Sequence, residues 1–516
     1  MFNKNRRRWN QNKIVNEEGY QVYKMRDDQA LFLEASSFTP RNSFYHTTKD
    51  RLMNFESLID RLIVSDIKFV LALTWFLGKV MGVRLAPVIM TMRLAGNAGR
   101  DQLQKIIKDV FTRPDFLANA FGYWKHQKGE IKSFPRDIFQ LLKKQLESFN
   151  EVTLKNRKML HREFKLKDLI KILKPMPKDA KRSKFYRAII EDGKASKLSV
   201  EIDEKTGKVK KADHVTAAIS DNRVSHAAKK KFVQESMKNI PINALIKNLS
   251  FLTDEDAPVL KERLEAIFKS GDGLRFVNPF DLILLESLHF RGYNTEVRVN
   301  QSILNILDQI LKKYVSFELS AQKPVILYDR SGSMAGEGHR TGSKFLALVD
   351  NLFSKDYKFY TFASSRWDQC GESETPAAIV DVTEHFKDLH DGPNMIARHI
   401  QSSIKCYGGT ELLEAAKWTV SQNPEMDLFI IITDEVTWAE SVNIEIHRRI
   451  IPDHLAGKVL LINVAPAQKS VFKPTAKIVR ISGLDGKILQ MVKAITDFDQ
   501  FKKDIIARFE KVSLTK

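Results

Sequence analysis

The chain has 516 residues, of which 43% are hydrophobic and 28% charged, with a formal net charge of +20 at pH 7. This length predicts two or more domains, and the composition excludes a fibrous or wholly disordered protein. The longest uncharged apolar run, Phe69–Gly78, is about half of what a membrane span needs, and two cysteines exclude a disulfide scaffold, so we expect a cytoplasmic protein without membrane contact.

The positive charge is confined to one part of the chain. Residues 1–320 contain 58 Lys and Arg against 38 Asp and Glu, whereas residues 321–516 contain 25 of each. The densest stretch is 151–190, with 13 basic and 4 acidic residues. A basic excess in one domain predicts a polyanionic partner, most often nucleic acid, and a solvated lysine-rich face is the alternative.

Residues 55–311 have the pattern of successive amphipathic helices. Apolar residues recur with a 3.6-residue period over stretches of about 10–20 residues, separated by connectors with Gly, Pro or Asn. We therefore predict an α-solenoid of stacked helix pairs over residues 1–320. The stretch Leu198–Val209 interrupts the pattern and predicts a polar hairpin or loop.

From about residue 321 short apolar strands alternate with helices. The clearest strands are Val325–Tyr328, Lys358–Ala363, Leu428–Ile432 and Val459–Val464. Fully apolar strands in this alternation are typical of a parallel sheet covered on both faces, so residues 321–516 are predicted to form a doubly wound α/β domain. Ligands of such sheets bind at the carboxyl ends of the strands.

Oxygen-bearing side chains follow these strands. Asp329, Ser331 and Ser333 lie at alternate positions directly after the first strand, Thr410 follows a Gly-Gly pair, and Asp434 ends a later strand. Two carboxylates and three hydroxyls suit a hard divalent cation such as Mg²⁺ and leave a coordination position open. A capped turn is the alternative for the Asp-x-Ser-x-Ser stretch alone.

This pattern resembles the metal-ion-dependent adhesion site of von Willebrand factor A domains. The resemblance implies that Mg²⁺ is held by the residues at the matching positions, which are Asp329, Ser331, Ser333, Thr410 and Asp434. Glu435 stands where that family commonly has glycine.

Three stretches of the helical half look like signature segments of the TROVE module: Phe164–Ile170, Asn239–Leu249 and Val277–Ile283. A TROVE module followed by an A domain resembles the Ro autoantigen family and its bacterial and phage relatives. The resemblance implies a monomeric ring of HEAT-like helix pairs closed by the A domain. It also implies binding of small structured Y RNAs outside the ring and of single-stranded ends of misfolded RNA in its hole.

The basic stretch supplies the candidate RNA contacts. We predict phosphate contacts for Lys155, Arg157, Lys158, His161, Arg162, Lys165, Lys167 and Lys171. Tyr123, Trp124 and His126 are candidates for stacking on bases, and a core position is the alternative for Trp124.

These observations favour a non-catalytic RNA-binding protein that acts in small-RNA stability or RNA quality control, including presentation of RNA to an exoribonuclease. The alternative is a protein–protein adaptor whose A domain binds an acidic partner through Mg²⁺. A metal-dependent nuclease is a third, weaker hypothesis, because such enzymes need clustered acidic ligands.

Overall fold

The computed structural model groups the chain into two compact units. One comprises Met1–Leu58, Asn278–Val297 and Leu304–Lys502, and the other Ile59–Val277, Arg298–Ile303 and Lys503–Lys516. The structure describes residues 13–15, 21–38, 48–155, 163–191, 200–202, 209–212, 224–238, 240, 242–246, 248–270, 279–284, 301–314, 321–353, 357–364, 378–387, 392–435, 455, 458–464, 469–470, 478–482 and 498–514.

The α-helices among the described residues are α1 (Asp27–Ser37), α2 (Thr48–Lys79), α3 (Leu85–Arg93), α4 (Arg100–Val110), α5 (Pro114–Lys128), α6 (Arg136–Ser148), α7 (Glu151–Lys155), α8 (Leu166–Leu173), α9 (Ala180–Glu191), α10 (His226–Glu235), α11 (Ile242–Ile246), α12 (Ala257–Lys269), α13 (Gln301–Tyr314), α14 (Glu337–Phe353), α15 (Thr383–Lys387), α16 (Pro393–Ser403), α17 (Leu412–Gln422) and α18 (Phe498–Leu514). The strands are β1 (Lys13–Val15), β2 (Gln21–Lys24), β3 (Val200–Ile202), β4 (Val209–Ala212), β5 (Pro324–Asp329), β6 (Lys358–Phe362), β7 (Val380–Asp381), β8 (Leu428–Thr433), β9 (Val459–Asn463), β10 (Lys469–Ser470) and β11 (Ile478–Ser482). Within this described part, every helix is too short or too polar to cross a bilayer.

The helices of the helical unit form because each has an apolar stripe along one side. In α8 the buried residues are Leu166, Leu169, Ile170 and Leu173, which fall at positions i, i+3, i+4 and i+7. The Asp168 carboxylate accepts the Lys165 backbone N–H at 2.8 Å and so caps the helix start. The sequence periodicity therefore predicts both the helix and the face that it buries.

These helices pack in two layers. Contacts join α3 to α5 and α4 to α6, so each helix packs against the next but one as well as against its neighbour. Such alternate packing is typical of stacked helix pairs. The aromatic ring of Phe121 extends the core, since its centroid lies 4.5 Å from that of Phe134 and 6.0 Å from that of Phe164. The predicted helical-repeat architecture is confirmed.

The polar stretch near residue 200 contains a small hairpin. Strands β3 and β4 pair antiparallel, with Val200 opposite Ala212 and Glu201 opposite Lys211. The hairpin predicted for this part of the helical unit is present in these two strands.

The other unit contains a six-stranded sheet in the order β11-β9-β8-β5-β6-β7. All neighbours are parallel except β6 and β7. Every residue of β5 and of β8 is buried, because helices cover both faces of a sheet with this connectivity. The predicted α/β class is confirmed, and β5 lies between β8 and β6, where the strand order reverses.

The α/β unit also includes segments from before residue 320. In α1 the Phe32 ring packs against Phe501 and Phe498 of α18, with centroids 5.2 and 6.0 Å away. Asp28 of the same helix accepts a hydrogen bond from Lys502 at 2.9 Å. Because α1 also contacts β11, the core of this unit joins residues from both ends of the described chain.

Gly78 of α2 provides a test of the helical packing. A Cβ atom there would lie 2.4 Å from Val110 Cγ1, so Gly78→Ala forces the two helices apart. We expect a loss of about 1–3 kcal/mol in unfolding free energy, measured by urea denaturation, although alanine is ordinarily the better helix former. Adding Val110→Ala to Gly78→Ala should restore part of the loss.

Gly122→Ala is the matched control, because a Cβ atom at this helical glycine would meet its nearest neighbour at an ordinary 3.6 Å. Equal effects of Gly78→Ala and Gly122→Ala would contradict the close approach of α2 and α4.

Candidate metal centre and basic surface

The predicted metal ligands meet at the carboxyl edge of the sheet. Asp329 is the last residue of β5, and Asp434 directly follows β8. The two strands are parallel neighbours in register, with Tyr328 opposite Ile432. Since the strand order reverses at this point, the edge between β5 and β8 is where a ligand cleft of this fold is located.

The loop after β5 is hydrogen-bonded to the carboxylate of Asp329, the residue from which it starts. Asp329 is fully buried, and its Oδ1 accepts the Ser331 backbone N–H at 2.8 Å. The Ser331 and Ser333 hydroxyl oxygens lie 3.1 Å apart. The structure therefore brings the three side chains of the Asp-x-Ser-x-Ser stretch together, as the spacing predicts.

The loop with Thr410 is fastened to this first loop through backbone hydrogen bonds. Gly332 N donates to Gly408 O at 2.8 Å, and a Cβ atom at Gly332 would lie only 3.1 Å from the same oxygen. This close approach requires glycine at position 332. Thr410, which follows on the second loop, is 98% buried.

The third loop is held by residues next to Asp434. Thr433 Oγ1 donates to Asp329 Oδ2 at 2.6 Å and accepts the Glu435 N–H at 3.0 Å. Glu435 has a φ of 55°, the left-handed conformation that favours glycine, and Asn463 Nδ2 donates to its carboxylate at 2.8 Å. The backbone turn is thus kept although Glu435 stands in place of glycine, and the hydrogen bond from Asn463 stabilises the Glu435 side chain.

The electrostatics of the site would favour a bound cation. Burial and the nearby charge of Asp434 raise the pKa of Asp329 from 3.8 to about 7. The same burial and the two carboxylates raise the pKa of the Cys406 thiol to about 12. Two buried carboxylates with neighbouring hydroxyls are the donor chemistry that Mg²⁺ takes, so the residues present fit such an ion.

Sequence reasoning missed two side chains that shape the site. Thr433 was absent from the predicted set, because nothing local shows that its hydroxyl faces Asp329. Arg330 is 94% buried, its Nη2 donates to Ala378 O at 3.1 Å, and its guanidinium carbon lies 4.7 Å from the Tyr407 ring centroid. Its partners are 48 and 77 residues away, so only the fold reveals them.

The predicted RNA contacts lie in the other unit and are described only in part. Lys165 directly precedes α8 and Lys171 lies within it, both with exposed side chains, and Lys167 is half-buried. Lys155 ends α7, and four further predicted contacts lie outside the described residues: Arg157, Lys158, His161 and Arg162. All eight remain predictions.

The aromatic candidates beside this surface are on α5. Trp124 is half-buried, its Nε1 donates to Ser133 Oγ at 3.2 Å, and its ring lies 5.5 Å from that of Phe134. Trp124 therefore packs on the domain core with one edge, while His126 is exposed.

The hydroxyl of Thr433 provides a test of the hydrogen bonds that hold the loops of the candidate metal centre together. Thr433→Val keeps the shape but leaves Asp329 Oδ2 without this donor and the Glu435 N–H without this acceptor. We expect a loss of about 2–4 kcal/mol in unfolding free energy, measured by urea denaturation without divalent ions. Thr433→Ser retains the hydroxyl and should recover most of the lost unfolding free energy. A Thr433→Val variant as stable as the parent would contradict the role assigned to the hydrogen bond between Thr433 and Asp329.

Comparisons with known proteins bear on the fold. No family model matches the chain, and no curated protein matches it in sequence. Among solved structures, the crystal structure of the Deinococcus radiodurans RO (RSR) protein is similar, with a TM-score of 0.54 and 15% sequence identity over 92% of this chain and 100% of that chain. The chain therefore has a Ro-like fold, in which a helical-repeat unit is combined with an α/β unit.

Proposed function

We propose that this protein binds RNA through the basic surface of its helical unit and does so without catalysis. The Ro-like fold supports the proposal, because a helical-repeat unit with a separate α/β unit is the layout expected from the family resemblance. The observation that carries it is the concentration of exposed cations on α8, α9 and the turn between them.

Positively charged side chains are concentrated and exposed on this surface. Residues 163–191 contain nine Lys and Arg against four Asp and Glu. Seven of these cations are exposed, and among the described residues none of the seven forms an ion pair: Lys165, Lys171, Lys174, Lys178, Lys181, Lys184 and Arg187. Cations without protein partners are available to neutralise phosphates and release counterions.

The finer proposal follows the resemblance. The RNA would be a small structured RNA of the Y type or the single-stranded end of a misfolded RNA. The protein would be a monomeric, cytoplasmic ring that stabilises small RNA or presents defective RNA to an exoribonuclease. Phosphate contacts supply affinity without sequence preference, so discrimination would come from RNA shape and unpaired bases.

Salt dependence tests the basic surface. We expect replacement of Lys165, Lys181 and Lys184 by Gln to weaken filter binding of a structured small RNA. Each lost phosphate contact should lower the slope of log affinity against log salt by about 0.7–0.9. The matched control replaces three exposed lysines of the α/β unit, Lys358, Lys405 and Lys458, by Gln. Equal losses in both triple variants, or none in the first, would contradict the assignment.

We propose a second activity for the α/β unit, because its predicted metal ligands lie on loops that meet at one edge of the sheet. Asp329, Ser331, Ser333, Thr410 and Asp434 would hold Mg²⁺. The bound ion would supply Lewis acidity and an open coordination position for the carboxylate of an acidic partner. This site is the observation that favours the adaptor function as an alternative to, or alongside, RNA binding.

Metal addition tests this site. Addition of Mg²⁺ at about 100 times its Kd should stabilise the protein by about 2.7 kcal/mol, seen as a rise in the midpoint of thermal unfolding. Asp329→Asn keeps the side-chain shape but removes a charge, so it should abolish the rise.

Asp427→Asn is the control, since Asp427 accepts backbone N–H groups of Gln322 and Lys323 at the opposite edge of the same sheet. A rise that persists in Asp329→Asn would overturn the ligand assignment.

A further inference from the structure

A cavity of about 480 Å³ lies between α8 and α9 in the helical unit. Its volume falls within the range of roughly 300–1,000 Å³ that is typical of small-molecule sites. Residues of both helices and of the turn between them line it, so its shape depends on one helix pair only. Of the predicted phosphate contacts that the structure describes only Lys171 lines this cavity, and the candidate metal centre belongs to the other unit.

The walls of the cavity are largely apolar. Ile170 and Ile190 line it together with the rings of Pro175 and Pro177. Ile190 is 37% exposed, one of few large hydrophobic side chains at the surface of the described chain. Apolar walls that open to solvent suit a flat, weakly hydrated ring.

Tyr186 contributes a polar atom that lacks a partner. Its side chain is 95% buried and lines the cavity, and its hydroxyl makes no hydrogen bond to any described residue. The ring is fixed from one side, because the Arg182 guanidinium carbon lies 4.8 Å from its centroid and Arg182 Nη2 donates to Phe149 O at 2.6 Å. An unpaired buried hydroxyl costs free energy, which a ligand with a polar edge would recover.

Three cations line the same cavity: Lys171, Lys174 and Arg187. Among the described residues that line the cavity there is no carboxylate. Lys174 has a left-handed φ of 45°, and its N–H donates to Ile170 O at 2.9 Å, which ends α8 and fixes the start of the turn. The cavity therefore joins an apolar slot, lined in part by Tyr186, to a positive rim.

We propose that this cavity takes one unstacked nucleobase of bound RNA, with the flanking phosphates on Lys171, Lys174 and Arg187, an inference that rests on the proposed RNA-binding function. A base offers an apolar face to the walls and a polar edge to the Tyr186 hydroxyl, and sequence-specific RNA recognition commonly uses such splayed bases. The exposed cations on both sides of the cavity extend beyond what a free nucleotide would contact, so the occupant is part of a chain.

The experiment compares three probes by fluorescence titration at fixed salt: a perfect RNA duplex, the same duplex with one bulged 2-aminopurine, and adenosine monophosphate. The parent protein should bind the bulged duplex about five- to tenfold more tightly than the perfect one, with a change in 2-aminopurine emission. Adenosine monophosphate should bind far more weakly. Equal affinity for both duplexes, or mononucleotide affinity equal to that of the bulged RNA, would overturn the proposal.

Two variants test whether this cavity causes the preference for the bulged duplex. Tyr186→Phe removes the unpaired hydroxyl, so it should abolish most of the preference for the bulge without lowering the midpoint of thermal unfolding. Ser183→Leu fills the cavity from α9 and should do the same, with Ser148→Leu on α6 as the matched control. If Ser183→Leu weakens both duplexes equally, it disturbs the helix pair, and Tyr186→Phe alone decides.

An undiminished preference in Tyr186→Phe and Ser183→Leu would overturn the cavity assignment while leaving RNA binding intact. Failure of the parent protein to bind either duplex would instead overturn the proposed function, and the inference with it.

Discussion

The burial of two neighbouring carboxylates, Asp329 and Asp434, is the strongest electrostatic constraint on the carboxyl edge of the sheet in the α/β unit. Both carboxylates are buried at one edge of a parallel sheet, where water screens their charges poorly. Hydrogen bonds from Ser331 N and Thr433 Oγ1 satisfy both oxygens of Asp329, yet its pKa is still raised to about 7. Either protonation of Asp329 or an opposite charge would remove the remaining cost, and a divalent cation is the opposite charge that these oxygen donors suit.

The two units use charge in different ways. The helical unit displays cations at its surface, where their attraction for a polyanion would act over a distance and respond to salt. Residues 321–516, which form most of the α/β unit, have no net charge. The carboxylates of Asp329 and Asp434 are buried there, where salt has little influence. Ionic strength would therefore separate the two proposed activities experimentally, because salt weakens contacts with the exposed cations of α8 and α9 much more than contacts with the buried carboxylates.

Local pattern predicted much of this architecture. Strands β5 and β8 were predictable because each is an apolar run that ends beside an aspartate, and α8 because its apolar residues follow the helical period. The predicted metal ligands could be assigned to one edge of the sheet for the same reason, since parallel neighbours bring their carboxyl ends together.

The remaining features depend on contacts between residues far apart in sequence. Thr433 contacts Asp329 although the two are 104 residues apart in sequence. The charge balance predicts a division at residue 320 but gives no sign that Phe32 of α1 packs on α18. The cavity likewise depends on the left-handed conformation at Lys174, a basic residue before a proline, which propensity does not anticipate.

The packing of α1 against β11 and α18 has a consequence for biosynthesis. Residues near position 30 cannot find their partners until the ribosome has delivered residues 478–501, so the α/β core closes late. Until then the apolar strands of the nascent chain lack part of their covering layer, a state in which chains of this size are prone to aggregate. The helical unit, built mainly from neighbouring helices, can condense first and at lower entropic cost.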